Sequence, residues 1–142
     1  MTVLRRDPAR IAAHAGAELA AAKVKAIAEI NLSVGKARQK YITTSPGQEM
    51  IYLAKEREAL AYLPNPTDDL STYPMLEAEI GVTAPTAREL AQLWANVSVQ
   101  WRAIAARIEG TRMRSIAQIE NCADPDDLNA ILATFRPLQE RL

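Results

Sequence analysis

A single cysteine, Cys122, leaves the 142-residue chain without an internal disulfide, and no apolar run approaches the ~20 residues of a bilayer-spanning helix. Five glycines are scattered at Gly16, Gly35, Gly47, Gly81 and Gly110, so the Gly-rich loop that cradles phosphates is missing and nucleotide binding by that route is not expected. Neither basic nor acidic residues are in excess. Seventeen basic residues balance seventeen acidic ones, which argues against an electrostatic grip on nucleic acid or an acidic membrane. The opening Met-Thr-Val-Leu-Arg-Arg-Asp-Pro contains no apolar segment of the secretory kind; a soluble protein made in a reducing compartment is the expectation. Aromatic residues are scarce at 5%, so large core anchors are few.

Alanine takes their place. It accounts for 26 positions, more than a third of the apolar class. Alanine is the strongest helix former but buries little area, a composition that favours long, closely packed helices and a thin, elongated body. The length suits one domain of ordinary size.

Asp7-Pro8 is a helix start, the Asp accepting from first-turn N–H groups and the Pro tolerated at the first helical position. The helical pattern then runs without proline to about Ile42. Ile27, Ile30, Val34, Ala37 and Tyr41 recur at 3-4-3-4 spacing, preceded by a weaker stripe of Ile11, Ala15, Leu19, Ala22 and Ala26. Some 35 helical residues would reach roughly 50 Å, which predicts that part of the helix projects or pairs with another chain. Thr43-Thr44-Ser45-Pro46-Gly47 breaks the pattern, and a second helix is expected from Pro46 to about Tyr62. The two prolines of Leu63-Pro64-Asn65-Pro66 make a rigid extended connection. A short helix from Tyr73-Pro74 to Ile80 ends at Gly81, and Thr86-Ala87-Arg88-Glu89 has the form of a capping box. Behind it Leu90, Trp94, Val97, Trp101, Ile104, Ile108 and Thr111 alternate by four and three, drifting onto Ile116 and Ile119. Asp124-Pro125 opens a last helix through about Thr134. No segment has the two-residue alternation of a half-buried strand. The expected fold is all-α, two long antiparallel, coiled-coil-like helices with two or three short ones. It is divided into a long N-terminal oligomerisation or docking helix, 1–42, and a compact helical domain, 43–142.

Chemistry-bearing residues do not converge. His14, the only histidine, lies far along the chain from Cys122, so a nucleophile-base pair is not expected. His14 and Glu18 share a helix face and form half a metal site at most. Asp124, Asp126 and Asp127 resemble the start of a calcium loop but lack its glycine and closing glutamate, and a helix cap explains them better. Asp68-Asp69 and Glu77/Glu79 read as solvated turn carboxylates, and Arg107, Arg112 and Arg114 as a solvated face beside Glu109 and Glu120. No catalytic residue, cofactor or metal is therefore expected. Trp94 and Trp101 are first of all core anchors; exposed between chains they would also serve as contact hot spots. Tyr41, Tyr52, Tyr62 and Tyr73, near helix ends, could cover a junction with a neighbour.

Tyr52-Leu53-Ala54-Lys55, Glu58-Ala59-Leu60-Ala61-Tyr62-Leu63, Tyr73-Pro74-Met75-Leu76-Glu77-Ala78-Glu79-Ile80-Gly81-Val82-Thr83, Trp101-Arg102 and Ile108-Glu109 together resemble a helical module of tailed-bacteriophage and prophage tail proteins. That module is often found at the C-terminal end of tail-fibre or fibre-associated proteins, and the resemblance spans roughly Ile42 to Leu132. Its most specific piece is Tyr-Pro-x-Leu-x-Ala-Glu-Ile-Gly, a structural signature with no catalytic role. Such sequences commonly close on Trp-Pro; here Phe135-Arg136-Pro137 stands there and a further tail follows. The chain has no β-rich fibre shaft. The resemblance implies a small, separate virion component of the tail-fibre or baseplate region, made in the host cytoplasm, that contacts other tail and fibre proteins and binds neither nucleic acid nor membrane. The symmetry of phage tails implies a homo-oligomer, a trimer first. Contacts are expected through Leu19, Ile27, Ile30, Val34, Tyr41, Trp94 and Trp101. Two other roles remain open: a tail-fibre assembly chaperone that leaves the mature particle, and a small regulatory or nucleic-acid-associated helical protein. An enzyme is the least favoured class.

Overall fold

The computed structural model describes residues 7–43 and 45–139, with side chains through Arg136. The opening Met1–Arg6, Thr44 of the expected break and the end of the expected tail lie outside the described residues. Among those described there are five helices and no β-strand: α1 (Pro8–Gln39), α2 (Gln48–Tyr62), α3 (Pro74–Glu79), α4 (Ala87–Asn121) and α5 (Pro125–Gln139).

The helix starts follow local chemistry. Asp7 accepts from the Ala9 N–H at 3.0 Å with Pro8 in the first turn, and Asp124 accepts from the Asp127 N–H at 2.9 Å ahead of α5. At α4 the Glu89 N–H donates to the Thr86 hydroxyl at 3.2 Å, and that hydroxyl donates to the Glu89 carboxylate at 2.9 Å. The box is thus closed through the hydroxyl itself. Three boundaries differ from expectation: α1 ends at Gln39 and not near Ile42. The second helix begins at Gln48 and not at Pro46, because Gly47 takes a left-handed φ of 81°, a backbone state that glycine reaches without a Cβ penalty. The last helix continues past Thr134 to Gln139. Gly81 fills its expected place after α3 with φ 78°, its N–H donating to Ala84 O at 2.7 Å.

The chain divides into two compact units, one of Met1–Lys40 with Arg107–Leu142 and the other of Tyr41–Ala106. The boundary expected after residue 42 falls after Lys40. The region expected to hold 43–142 as one domain is divided again after Ala106, and its last part joins α1. The physical reason lies in the later half of α1. Its Ala26, Ile30, Ser33, Val34 and Ala37 are buried with α5 lying alongside, in the same unit as the buried Ile108, Thr111, Ser115, Ile119 and Cys122.

In the second unit, Ala59 and Tyr62 of α2, Leu76 of α3 and Ala87, Leu90, Ala91, Trp94 and Ala95 of α4 form one core. Leu63, Leu70, Tyr73, Met75, Ile80 and Ala84 pack around it. Its small residues are Ala59, Ala87, Ala91 and Ala95, and its large side chains are Trp94, Tyr62, Leu90 and Leu76. Burial of one such side chain contributes about 1.5–3 kcal/mol.

Burial along α4 repeats every seven residues. Ala87, Trp94, Trp101, Ile108 and Ser115 are all buried or half-buried, a period that keeps one stripe inward. Of the expected stripe Leu90, Trp94, Trp101, Ile104, Ile108 and Thr111 are buried or half-buried and Val97 is the exception, at 53% exposed.

Candidate interaction surfaces

The residues expected to contact other chains fall into two groups. Ile30 and Val34 are fully buried within their own unit, and Trp94 is 8% exposed in the core of the other. Leu19, Ile27 and Trp101 are half-buried and Tyr41 is 44% exposed. The last four have surface to offer. Tyr41 and Trp101 meet as tilted rings with centroids 6.5 Å apart. Of the remaining tyrosines, Tyr62 and Tyr73 stack edge to face at 5.4 Å inside the core, and the Tyr52 hydroxyl reaches Thr43 Oγ1 at 3.4 Å.

The signature segment performs structural work throughout. Pro74 occupies the first turn of α3, which has no capping side chain of its own. The Glu58 carboxylate supplies the cap from α2, accepting from the Met75 N–H at 2.9 Å and the Leu76 N–H at 3.0 Å. Leu76 is fully buried. Glu79 is held by Lys55 and accepts from the Thr83 hydroxyl at 2.9 Å. The Lys55 hydrogen bond holds its carboxyl below the usual value against the opposing cost of burial. Lys55 also lies over the Trp94 ring at 5.1 Å from its centroid, a cation–π contact. Arg102 pairs with Glu56 and joins α2 to α4.

Polar bonds tie α1 to the later part of α4. The Lys23 ammonium donates to Glu120 O at 2.9 Å and Cys122 O at 2.7 Å, placing a cation where the helix dipole is negative. Arg112 donates to Asn31 Oδ1 at 3.1 Å and to both Glu109 oxygens, while Arg38 reaches Glu109 at 2.5 Å. The Arg112 hydrogen bond is the largest influence holding the Glu109 carboxyl below its ordinary value; burial opposes it, and the charges of Arg112 and Arg38 add to it.

The other residues singled out stay apart. His14 Nε2 and Glu18 Oε1 are 3.3 Å apart with both side chains largely exposed, and no group of three metal-ligating side chains occurs among the described residues. Asp69 accepts from the Ser71 N–H at 3.0 Å, and hydrogen bonding with Ser71 lowers its carboxyl pKa. Arg107 is exposed and Cys122 is buried.

Large apolar side chains remain uncovered in several places. On α2, Met50, Leu53 and Leu60 are 75%, 61% and 49% exposed, at positions set away from the buried Ala59 and Tyr62. On α4 Leu93, Val97 and Val99 are exposed. Residues 7–18 are exposed at every position, with Ile11 at 52%, so the first three turns of α1 are helical without cover. Sequence reasoning missed the outward stripe of α2 because Lys55, Glu56, Arg57 and Glu58 interrupt it. Its 3-4-3 spacing from Met50 through Leu53 and Arg57 to Leu60 is the signal that could have found it.

No helix among the described residues is long and apolar enough to cross a membrane. Compared with known proteins, the chain matches no family model, no curated protein and no solved structure.

Proposed function

We propose that this protein is a structural component of a bacteriophage tail, a small helical protein of the tail-fibre or baseplate region that connects or supports fibres through helix-mediated assembly. The resemblance of roughly Ile42 to Leu132 to tail-protein modules motivates the reading. The observation that carries it is the uncovered start of α1: residues 8–18 form continuous helix yet bury nothing. Isolated helices of that length are marginal in water, and packing of a face is what ordinarily sustains them. Ile11, Ala15 and Leu19 offer the stripe for it, and a second or third copy of the same segment would cover it. A trimer is the first choice.

The two long helices are read as an antiparallel, coiled-coil-like pair. As α1 advances from Lys23 through Asn31 to Arg38, its partners on α4 step back from Glu120 through Arg112 to Glu109. Seven-residue burial along α4 agrees with that reading.

Mass spectrometry of purified phage particles from a strain carrying the gene tests the assignment. The chain should be present in stoichiometric amount with other tail proteins. Its absence from particles, together with accumulation in the lysate, would assign it to fibre assembly instead. Sedimentation of the isolated protein tests the assembly mode: a stable monomer with a fully ordered α1 overturns it.

A further inference from the structure

The first unit holds a cleft between α4 and α5 of about 150 Å³. We propose that it receives a small carboxylate, either the end of an acidic side chain on another polypeptide or a free short-chain acid, between the Arg114 guanidinium and the Ser115 hydroxyl. This inference is independent of the phage assignment.

Ser115 is 6% exposed and lines the cleft. Its hydroxyl has no hydrogen-bond partner among the described residues, although every fully enclosed polar side-chain atom among them has one. The Ser115 oxygen is therefore open to the cleft, since a buried donor closed off without a partner is costly. Arg114, on the same wall, pairs with no carboxylate of the described residues, in contrast to Arg112, whose guanidinium is taken up by Glu109 and Asn31. Gly110 makes room for it: a Cβ at that position would lie 3.3 Å from Arg114 Nη1 and 3.6 Å from Nη2. A mid-helix glycine is unfavourable relative to alanine, and the Arg114 guanidinium folds back over the space that a methyl there would crowd.

The hydroxyls of Thr111 and Thr134, also in the wall, donate to Arg107 O and Ala130 O at 3.0 and 3.1 Å. The donors left for a ligand belong to Arg114, Ser115 and the Gln118 carboxamide, a set that selects an anion. One guanidinium matches the single charge and two oxygens of a carboxylate, and Ile131 and Phe135 provide apolar wall for a short stem. The volume is that of a cavity that holds benzene, too small for a nucleotide.

Amide NMR of the full chain at constant ionic strength tests the proposal with sodium propionate, propionamide and sodium chloride. Propionate should shift the amides of Thr111–Gln118 and Ile131–Phe135 saturably, and propionamide should not. Arg114→Gln should weaken binding by about tenfold or more, Arg114→Lys less, and Gly110→Ala and Ser115→Ala each severalfold. A glutamate-containing tripeptide blocked at both ends gives the same shifts if the carboxylate is presented by a polypeptide. Its failure beside successful propionate binding identifies a free acid. Shifts that do not saturate, that propionamide reproduces, or that persist at full strength in both Arg114 variants overturn the proposal.

Discussion

Glu58 caps a helix to which it does not belong: its carboxylate accepts from the Leu76 backbone N–H at 3.0 Å, across seventeen intervening residues and two loop prolines. With six residues and no side-chain cap of its own, α3 depends on that contact for its first turn. Glu58→Ala should lower unfolding stability by about 1–2 kcal/mol, the range for losing a helix cap, and Glu58→Gln by less because one acceptor oxygen remains. Denaturant titration of the two variants checks the order; equal losses would show that side-chain volume, and not the cap, is what matters.

Leu76 is the fully buried residue of the same helix, and Ile30 is its counterpart in the other unit. Truncating either to alanine should cost about 2–5 kcal/mol. Leu93→Ala, at a position 43% exposed, should cost far less in the same titration. A Leu93 variant as damaging as the Leu76 one would mean that this side chain is covered in solution.

Lys23 ties the middle of α1 to the C-terminal end of α4 by donating to the carbonyls of Glu120 and Cys122. Lys23→Met removes the charge and both bonds while keeping much of the stem. Amide hydrogen exchange should then accelerate over the last turn of α4, with a stability loss of about 1 kcal/mol or more. Exchange unchanged at Glu120–Ala123 would remove the cap from the account.

Acid should weaken the first unit through Glu109. Its folded-state pKa lies below the ordinary value of 4.5, chiefly because Arg112 donates to it. A carboxyl shifted down contributes stability that is fully present above its unfolded-state pKa and is lost as pH falls through the folded one. Glu109→Gln should therefore be less stable than the natural chain at neutral pH, with the difference shrinking below about pH 4.5. Glu79, lowered by Lys55, should behave alike in the other unit. Urea midpoints measured from neutral pH downward check both; a constant difference across that range would exclude the linkage.

Local chemistry was readable from residues alone wherever a short-range interaction decides the outcome. Asp7, Thr86 and Asp124 cap because their side chains reach N–H groups two or three positions on, and Gly81 closes α3 because its backbone permits positive φ. The same logic failed at Pro46-Gly47, where glycine's own freedom set the helix start. In the set of expected contact residues, Ile30, Val34 and Trp94 are buried in the chain's own cores, while Leu19, Ile27, Tyr41 and Trp101 keep surface. Periodicity could not separate the two groups, since a seam has the same spacing whether it meets its own chain or another. The α4–α5 cleft was not legible either, because Ser115 and Arg114 carry no signal until α5 is laid against them.

The residues alone gave the order of the helices and most of their starts, since capping, turn residues and the 3.6-residue period act over a few positions. Tertiary structure alone decided that the later half of α1 is covered by α5 and the end of α4, that Glu58 finishes α3, and which faces stay bare. Those outcomes depend on which surfaces exclude water together, and that is a property of residues far apart in the chain.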